Sequence, residues 1–294
     1  MDQKIERIED LRIQAKRASF ICLIPLLVGI LAAIVLTIIF ENAVILVLGV
    51  AVSFVIYIIF SSICYFPKKK HYVHSFKLTI VKDCLNKVFS DVNYEPDRCF
   101  DKETIKKTFL VCIGNIYKGN DFISAVYKDV RFSQCDLDIQ EIDASENSTY
   151  IQYFLGKWII LDFDKKIDTY IQIRENEFGG VRRPLIKTPA KAQKIMTESV
   201  EFNKHFSVFA DDAHNAFYIL TPRFMEALLK LRYLVDGQIM LAFCEGKLHI
   251  ALHNQENAFE PSINQMMLPA YEQKIMAEIL IITQIIDELI INLK

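Results

Sequence analysis

Two long apolar runs near the N-terminus dominate the hydrophobic pattern of this chain. Ala18–Phe40 contains 23 residues without a charged side chain, and Ala43–Phe66 contains 24 more. Only Glu41 and Asn42 separate them. About 20 apolar residues in a helix cross a hydrocarbon core of roughly 30 Å. The pattern therefore predicts a transmembrane helical hairpin over residues 18–66.

The flanks of the hairpin predict its orientation. Residues 1–17 mix charged with regularly spaced apolar side chains, as in a short amphipathic helix that lies at a membrane surface. Basic side chains precede the first span, Lys68, Lys69 and Lys70 follow the second, and the connecting turn has none. The positive-inside rule then places both termini in the cytoplasm of a bacterial inner membrane. The three lysines are expected at the membrane surface, chiefly as topology determinants.

Downstream of the hairpin, shorter periodic segments predict that residues 67–294 form a cytoplasmic α+β domain of antiparallel β-hairpins packed with helices. The predicted helices are His71–Phe89, a short helix from an Asp101 cap to Cys112, one from Thr221-Pro222 to Val235, and Ala270–Leu293. The predicted hairpins are Phe122–Tyr127 with Val130–Ile142, Tyr150–Phe154 with Lys157–Phe163 around Leu155-Gly156, Glu201–Ala210 with Ala216–Leu220, and Gln238–Glu245 with Lys247–His253. Tyr170–Arg174 is a further predicted strand, and the basic stretch Gly179–Thr197 is a predicted linker.

The last predicted helix carries a heptad seam of apolar residues. Its members are Ile275, Ile279, Ile282, Ile286, Leu289 and Leu293. Packing of this seam on the domain's own sheet is one interpretation. Self-association of two chains through the 270–293 helix is the other.

Charge and cysteine usage narrow the function classes. Residues 71–294 carry 26 Lys and Arg against 31 Asp and Glu, so the basic footprint of a nucleic-acid-binding protein is missing. The seven cysteines never form a C-x-x-C pair, which indicates reduced thiols rather than a disulfide framework or a zinc site. The two spans contain no Asp, Glu, Lys, Arg or His, which argues against a transport pathway. No metal and no cofactor is predicted.

The candidate catalytic residues are few. Asp211, Asp212 and His214 form the densest polar cluster, which suits either a tight turn, with Asp accepting backbone N–H groups, or a hydrolytic site. Asp162 and Asp164 alternate on a predicted strand, about 6.6 Å apart at about 3.3 Å per residue. That spacing suits paired acid–base carboxylates as well as two solvated charges.

Other pairs of polar residues give weaker signals. Asp136 and Asp138 repeat the spacing of two residues. His249 and His253 share a strand face but lie roughly 13 Å apart, too far to bind one metal ion. The P-loop, dinucleotide-binding, zincin and serine-hydrolase signatures do not occur in the sequence.

Several sequence blocks resemble a bacterial membrane-anchored family, the domain of unknown function 3137 family, over residues 70–290. The blocks are Asn93–Pro96, Tyr117–Phe122, Phe154–Trp158, Glu201–Val208, Asp212 with Ala216 and Tyr218–Pro222, and Phe259–Pro261. The motif positions that the resemblance identifies, expected to determine the fold, are Gly119, Asp121, Gly156, Asp212, Ala216, Tyr218, Thr221, Pro222, Phe259, Glu260 and Pro261. Phe217 stands where the family tends to have Arg. The resemblance implies an association with LemA-like membrane proteins and no established activity.

These observations favour a non-enzymatic binding or scaffold module, held at the bilayer to meet a membrane protein partner or a lipid headgroup. Its expected contact face comprises the helix Arg223–Val235 and the linker Gly179–Thr197. The alternative is a membrane-tethered hydrolase that uses Asp211, Asp212 and His214, or the pair Asp162 and Asp164.

Overall fold

A computed structural model describes residues 2–143, 149–162, 169–176, 188–266 and 269–290. The chain forms two compact units. One comprises Met1–Asp83 with Glu260–Gln273, and the other comprises Cys84–Phe259 with Lys274–Lys294. The predicted α+β class is confirmed, because two long apolar helices precede an antiparallel sheet packed with helices.

The first unit is built on antiparallel helices. Its helices are α1 (Asp2–Phe40), α2 (Ala43–Cys64) and α3 (Phe66–Phe76), after which a π-helical turn (Lys77–Val81) leads into α4 (Lys82–Val88). Between α1 and α2, Glu41 takes a positive φ of 51° and the Asn42 side chain accepts from Val44 N at 3.0 Å. The turn is therefore closed by a helix cap. Both helices are long and apolar enough to cross a membrane.

Small residues hold α1 and α2 together. Gly49 packs on Ala33, so that a Cβ atom at Gly49 would lie 2.5 Å from the Ala33 Cβ. Gly29 packs equally closely on the Ser53 hydroxyl. These small residues let the backbones of α1 and α2 approach closely. Away from this seam the large side chains point outward, and Ile38 for example is 72% exposed.

The N-terminal segment differs from the prediction. Residues 2–17 are the first turns of the continuous helix α1, not a separate short helix. Ile8, Arg12 and Ala15 are buried at intervals of three and four residues, which places them on one helical face. The Arg12 guanidinium donates to Glu9 and to the carbonyl of Ile263 at 2.8 Å. That face therefore packs inside this unit.

The second unit contains one antiparallel sheet. Within the described residues its nine strands follow the order β1-β2-β3-β4-β9-β8-β5-β7-β6. The strands are β1 (Ser90–Glu95), β2 (Ile116–Tyr127), β3 (Val130–Asp143), β4 (Thr149–Asp162), β5 (Ile171–Glu175), β6 (Gln193–Ile195), β7 (Phe206–Ala210), β8 (Gln238–Cys244) and β9 (Lys247–His253). The helices are α5 (Lys102–Lys106), α6 (Val200–His205), α7 (Ala213–Ile219), α8 (Pro222–Leu234) and α9 (Pro269–Leu289), whose first residues belong to the first unit.

Both faces of the sheet are covered near its centre. On one face, Ile105 of α5 and Leu110 pack with Phe154 and Trp158. On the other face, α8 places Phe224 6.0 Å from Phe243, measured between ring centroids, and α9 lies over β4. The heptad seam of α9 is buried at each described position. Packing on the domain's own sheet is therefore the interpretation that the structure supports, while Leu293 lies outside the described residues.

The predicted hairpin at Leu155-Gly156 is wrong. β4 runs through both residues as one strand, which pairs with β3 over Thr149–Leu161 and with β9 over Gly156–Asp162. Gly156 has a φ of +153°, and a Cβ atom there would collide with the carbonyl oxygen of Leu252. The glycine thus permits the close approach of a neighbouring strand and does not mark a turn.

The prediction of paired strands around Asp211-Asp212 is also wrong. Glu201 lies in helix α6, and only Phe206–Ala210 is a strand. Ala216–Leu220 lies largely in helix α7. Helix caps explain both differences, because Ser199 accepts from Phe202 N at 3.2 Å and Asp212 accepts from His214 N at 2.8 Å.

Two smaller differences concern the start of the sheet unit. The helix predicted from Asp101 to Cys112 ends at Lys106, and the Asp101 side chain makes no capping bond. Strand β1 and the first six residues of β2, from Ile116 on, were not predicted. The helix predicted from Thr221-Pro222 and the β8–β9 hairpin are confirmed. The helix predicted over His71–Phe89 is present, but the π-helical turn Lys77–Val81 interrupts it, and the last predicted helix is described to Leu289. The predicted linker Gly179–Thr197 contains the short strand β6.

We predict that Gly156→Ala lowers the free energy of unfolding by about 2 kcal/mol or more, because the new methyl group meets the Leu252 carbonyl. Gly246→Ala is the matched control, since its φ of +72° is also positive but nothing lies within 4 Å of the added carbon. It should lose only about 1 kcal/mol. Denaturant unfolding of the full chain in detergent, followed by fluorescence of the single tryptophan Trp158, measures both. Equal losses would contradict the steric explanation.

Candidate functional site

A buried lysine lies at the centre of the sheet. Lys157 is 1% exposed in the middle of β4 and pairs in register with Asp136 of β3. Its ammonium lies 2.7 Å from Oε2 of Glu278 in α9 and 4.0 Å from Oδ1 of Asp136. A buried charge is tolerated only when it is paired. Lys157 therefore joins two strands and a helix through one charge.

The loop after β9 closes over the same ammonium. Asp136 Oδ2 accepts from the backbone N–H of Ala258 at 2.7 Å. The ring centroid of Phe259 lies 5.7 Å from Lys157 Nζ, within the range of a cation–π contact. The lysine thus contacts sheet, helix and loop from a site that solvent hardly reaches.

A third carboxylate completes the group that we name the Lys157 cluster: Lys157, Asp121, Asp136 and Glu278. Asp121 is fully buried at an irregularity in the β2–β3 pairing and accepts a short hydrogen bond from the Tyr94 hydroxyl. Its φ is +58°, and that of Phe259 is +53°. Two non-glycine residues thus keep a left-handed backbone beside the cluster, a costly conformation that persists only when surrounding contacts enforce it.

The electrostatics of the Lys157 cluster favour the charged lysine. Burial by itself lowers the pKa of Lys157, but the carboxylates of Asp136, Glu278 and Asp121 outweigh it and raise that pKa above the ordinary value. The ammonium therefore stays protonated at neutral pH. Because Lys157, Asp121 and Asp136 are all nearly inaccessible, the arrangement acts as an internal clamp and offers no open surface to a substrate.

Two histidines lie on the opposite face of the sheet. Trp158 Nε1 donates to His249 Nδ1 at 3.4 Å, and burial lowers the pKa of His249 to about 4. His253 Nδ1 accepts from Leu155 N at 3.1 Å. Each ring is thus held as a neutral acceptor by a separate donor. Within the described ranges, no group of three or more His, Cys, Asp or Glu is placed to hold a metal ion.

The predicted polar cluster serves local structure. Asp212 caps α7 through the backbone N–H groups of His214 and Asn215, and Asp211 Oδ1 accepts from Tyr170 N at 3.0 Å. All three candidate side chains are exposed, and the His214 ring rests against Tyr218. The turn interpretation fits these contacts, and the convergence that the hydrolase alternative requires is not found at these residues.

The other candidate carboxylates do not converge either. Asp162 is exposed and lies 3.9 Å from Lys247, while Asp164 lies outside the described residues. Asp138 accepts from Gln140 and Gln152, whereas its neighbour Asp136 belongs to the Lys157 cluster. The predicted membrane-surface lysines, Lys68, Lys69 and Lys70, are exposed on the first turns of α3.

The family-motif positions hold structure together. Thr221 caps α8, and Pro222 lies in the first turn of that helix. Ala216 and Pro261 are buried. Gly119 permits a close backbone approach, because a Cβ atom there would lie 2.6 Å from the Asp136 carbonyl oxygen. Tyr218 is the exception, because it is 65% exposed on α7 rather than buried on a strand. Glu260, within the first unit, pairs with the buried Lys77.

Sequence reasoning missed the Lys157 cluster. Lys157 was noted only as part of a motif block, and Glu278 was not considered. The signal was available, since Lys157 precedes the four apolar residues Trp158–Leu161 in a strand with both faces buried. A lysine inside such a strand requires a buried counter-charge.

Comparison with known proteins finds one protein family that matches the C-terminal part of the chain. Residues 152–290 match the sequence profile of the family described as "Protein of unknown function (DUF3137)". These residues belong to the DUF3137 family. The match confirms the predicted family and includes Lys157, Phe259 and Glu278, whereas Asp121 and Asp136 precede it.

Other comparisons add little about this chain. No curated protein sequence matches it. The chain is similar to the crystal structure of the mycobacterial trehalose monomycolate transport factor A, TtfA, over 71% of this chain and 94% of that chain. The sequence identity is 10% and the TM-score 0.37, a likeness that carries no argument about function.

We predict that Lys157→Met destabilises the protein by about 3–5 kcal/mol, because it leaves the buried carboxylates without their cation. Lys230→Met is the matched control, since Lys230 pairs with Glu288 at the surface, and it should lose about 0–1 kcal/mol. Chemical unfolding of both full-length variants in detergent measures the difference.

The same variants have a diagnostic pH dependence. The pKa of Lys157 is higher in the folded protein than in the unfolded chain, where it is near 10.5. The lysine therefore contributes its full stabilisation of the folded state below pH 10.5. That stabilisation is lost as the pH rises through the folded-state pKa. The gap between wild type and Lys157→Met should therefore be constant from pH 7 to 10 and narrow above. A gap that is small at pH 7 would contradict the clamp.

Proposed function

We propose that this DUF3137 protein is a membrane-anchored, non-enzymatic binding or scaffold module that meets a membrane protein partner. We further propose that it resides in a bacterial inner membrane with both termini in the cytoplasm. The observation that carries the proposal is the pair of helices α1 and α2, whose large apolar side chains face outward. The same chain carries a sheet domain in which the buried Lys157 forms ion pairs with Asp136 and Glu278.

The charge pattern supports the orientation. Lys68, Lys69 and Lys70 are exposed beyond the end of α2, and Arg17 is exposed on α1 next to the start of the apolar run. The turn at Glu41 and Asn42 carries no positive charge. Basic residues are retained on the cytoplasmic side of a membrane and gain about 1 kcal/mol each near anionic lipid.

Helix α8 supplies the proposed contact face. Its inner side buries Phe224, Leu228 and Leu231 against the domain. Its outer side exposes residues three and four apart, which are Arg223, Glu226, Lys230 and Tyr233. Tyr233 is 73% exposed, and an exposed tyrosine among charged residues is typical of an interaction surface. The other part of the expected face is the linker Gly179–Thr197, of which residues 179–187 lie outside the described residues.

We predict that a photo-crosslinking amino acid at Tyr233 captures a discrete protein in membranes of the host organism. The control position is Asp129, an exposed residue in the β2–β3 turn, which should give no such adduct. Mass spectrometry of the purified adducts identifies what is captured. If the residue at Tyr233 crosslinks to lipid alone, the contact face binds a lipid headgroup and not a protein. Identical adducts at both positions would overturn the proposed contact face.

A further inference from the structure

One arginine of the sheet domain, Arg174, has no ion-pair partner among the residues that the structure describes. Arg174 is partly buried on β5, and its guanidinium carbon lies 4.2 Å from the ring centroid of Phe209 on β7. Burial lowers the pKa of Arg174, which reflects the loss of solvent around the guanidinium. The ring of Phe209 therefore covers one side of the cation.

No carboxylate in the described part of the chain forms an ion pair with Arg174, and no described acceptor takes a hydrogen bond from it. The other arginines with ion pairs differ, since Arg12 pairs with Glu9 and Arg98 with Glu95. The adjacent residue, Glu175, points to the opposite face of the strand, where it accepts from Ile239 N at 3.2 Å. It cannot neutralise Arg174.

A second cation lies on the same sheet face. Lys194 of β6 pairs in register with Phe209, and Arg174 pairs with Ser207, two residues further along β7. Paired residues share a face of the sheet, and so does every second residue along one strand. Ser207 and Phe209 are two residues apart on β7, so Arg174, Phe209 and Lys194 lie on the same face. Arg174 on β5 and Lys194 on β6 flank the Phe209 ring from opposite sides. Lys194 is exposed and forms no ion pair with any described carboxylate.

The nearby acids are engaged elsewhere. Asp211 Oδ1 accepts from the backbone of Tyr170, and Glu201 pairs with Lys204 and His205 on α6. The face around Phe209 thus combines two positive charges with an apolar platform.

We propose that Arg174 and Lys194 bind a phosphate group over the ring of Phe209. The guanidinium can donate two parallel N–H bonds to two phosphate oxygens, and the lysine adds a point charge. Two cations match the charge of about −1.5 to −2 that a phosphate monoester carries at pH 7. The phosphate can belong to a lipid headgroup or to a soluble molecule, and the site is independent of the proposed contact face on α8.

Two probes distinguish these sources. The full chain in phosphatidylcholine nanodiscs is titrated at constant ionic strength with inorganic phosphate in one arm and with dihexanoyl phosphatidic acid in the other. The shift of the thermal unfolding midpoint, followed by Trp158 fluorescence, reports binding to the folded state. Binding of both probes indicates recognition of the phosphate alone, whereas binding of the lipid analogue alone indicates a headgroup.

The variants test the residues. Arg174→Gln and Lys194→Gln should each weaken phosphate binding at least tenfold. Arg174→Lys keeps the charge but cannot donate two parallel N–H bonds, so its affinity should lie between those of wild type and Arg174→Gln. Lys204→Gln, at an exposed lysine paired with Glu201, is the control and should bind as wild type. Unliganded unfolding midpoints confirm that each variant is folded. The absence of binding in both arms, or binding that survives Arg174→Gln, would overturn the proposal.

Discussion

The constraint on which the rest depends is the apolar exterior of the helical hairpin. Between Phe20 and Phe66, 26 large apolar side chains are exposed. α1 and α2 bury only a narrow seam of small residues between them, among them Ala33 and Ser53. Because removing one such large side chain from water is worth about 1.5–3 kcal/mol, a bilayer is the environment that satisfies this surface. The hairpin packs through close backbone approach and leaves its large side chains to lipid.

The sheet domain is organised by the opposite kind of constraint, a charge without access to water. The ammonium of Lys157 needs Asp136 from β3 and Glu278 from α9 in fixed positions. The same group holds the loop after β9, through Ala258 and Phe259. The apolar seam of α9 supplies most of the burial, whereas the charge cluster specifies where the helix lies along the sheet. Tyr233, which is exposed on α8, is then carried by this packed domain.

The sequence predicted those parts of the fold that depend on strong local patterns. The two spans, the Thr221-Pro222 helix start and the β8–β9 hairpin each follow from composition and spacing within one segment. The errors arose where distant residues decide. Gly156 resembled a turn residue, because the strand that brings Leu252 against it is distant in the sequence. Ala216–Leu220 resembled a strand because its apolar residues alternate, but the Asp212 cap starts a helix there. The Lys157 cluster joins residues more than 100 positions apart, so local spacing could not identify it.

The central claim is that lipid surrounds the hairpin and that the sheet domain lies in the cytoplasm. The most direct test is the accessibility of single cysteines in intact cells. Single cysteines at Glu41, Ile38 and Asp129, in a chain without its native cysteines, are exposed to a membrane-impermeant maleimide. The account predicts labelling at Glu41 in intact spheroplasts, labelling at Asp129 only after permeabilisation, and none at Ile38 in either case. Labelling of Asp129 from outside would contradict the orientation, and labelling of Ile38 in the permeabilised membrane would contradict the lipid-embedded hairpin.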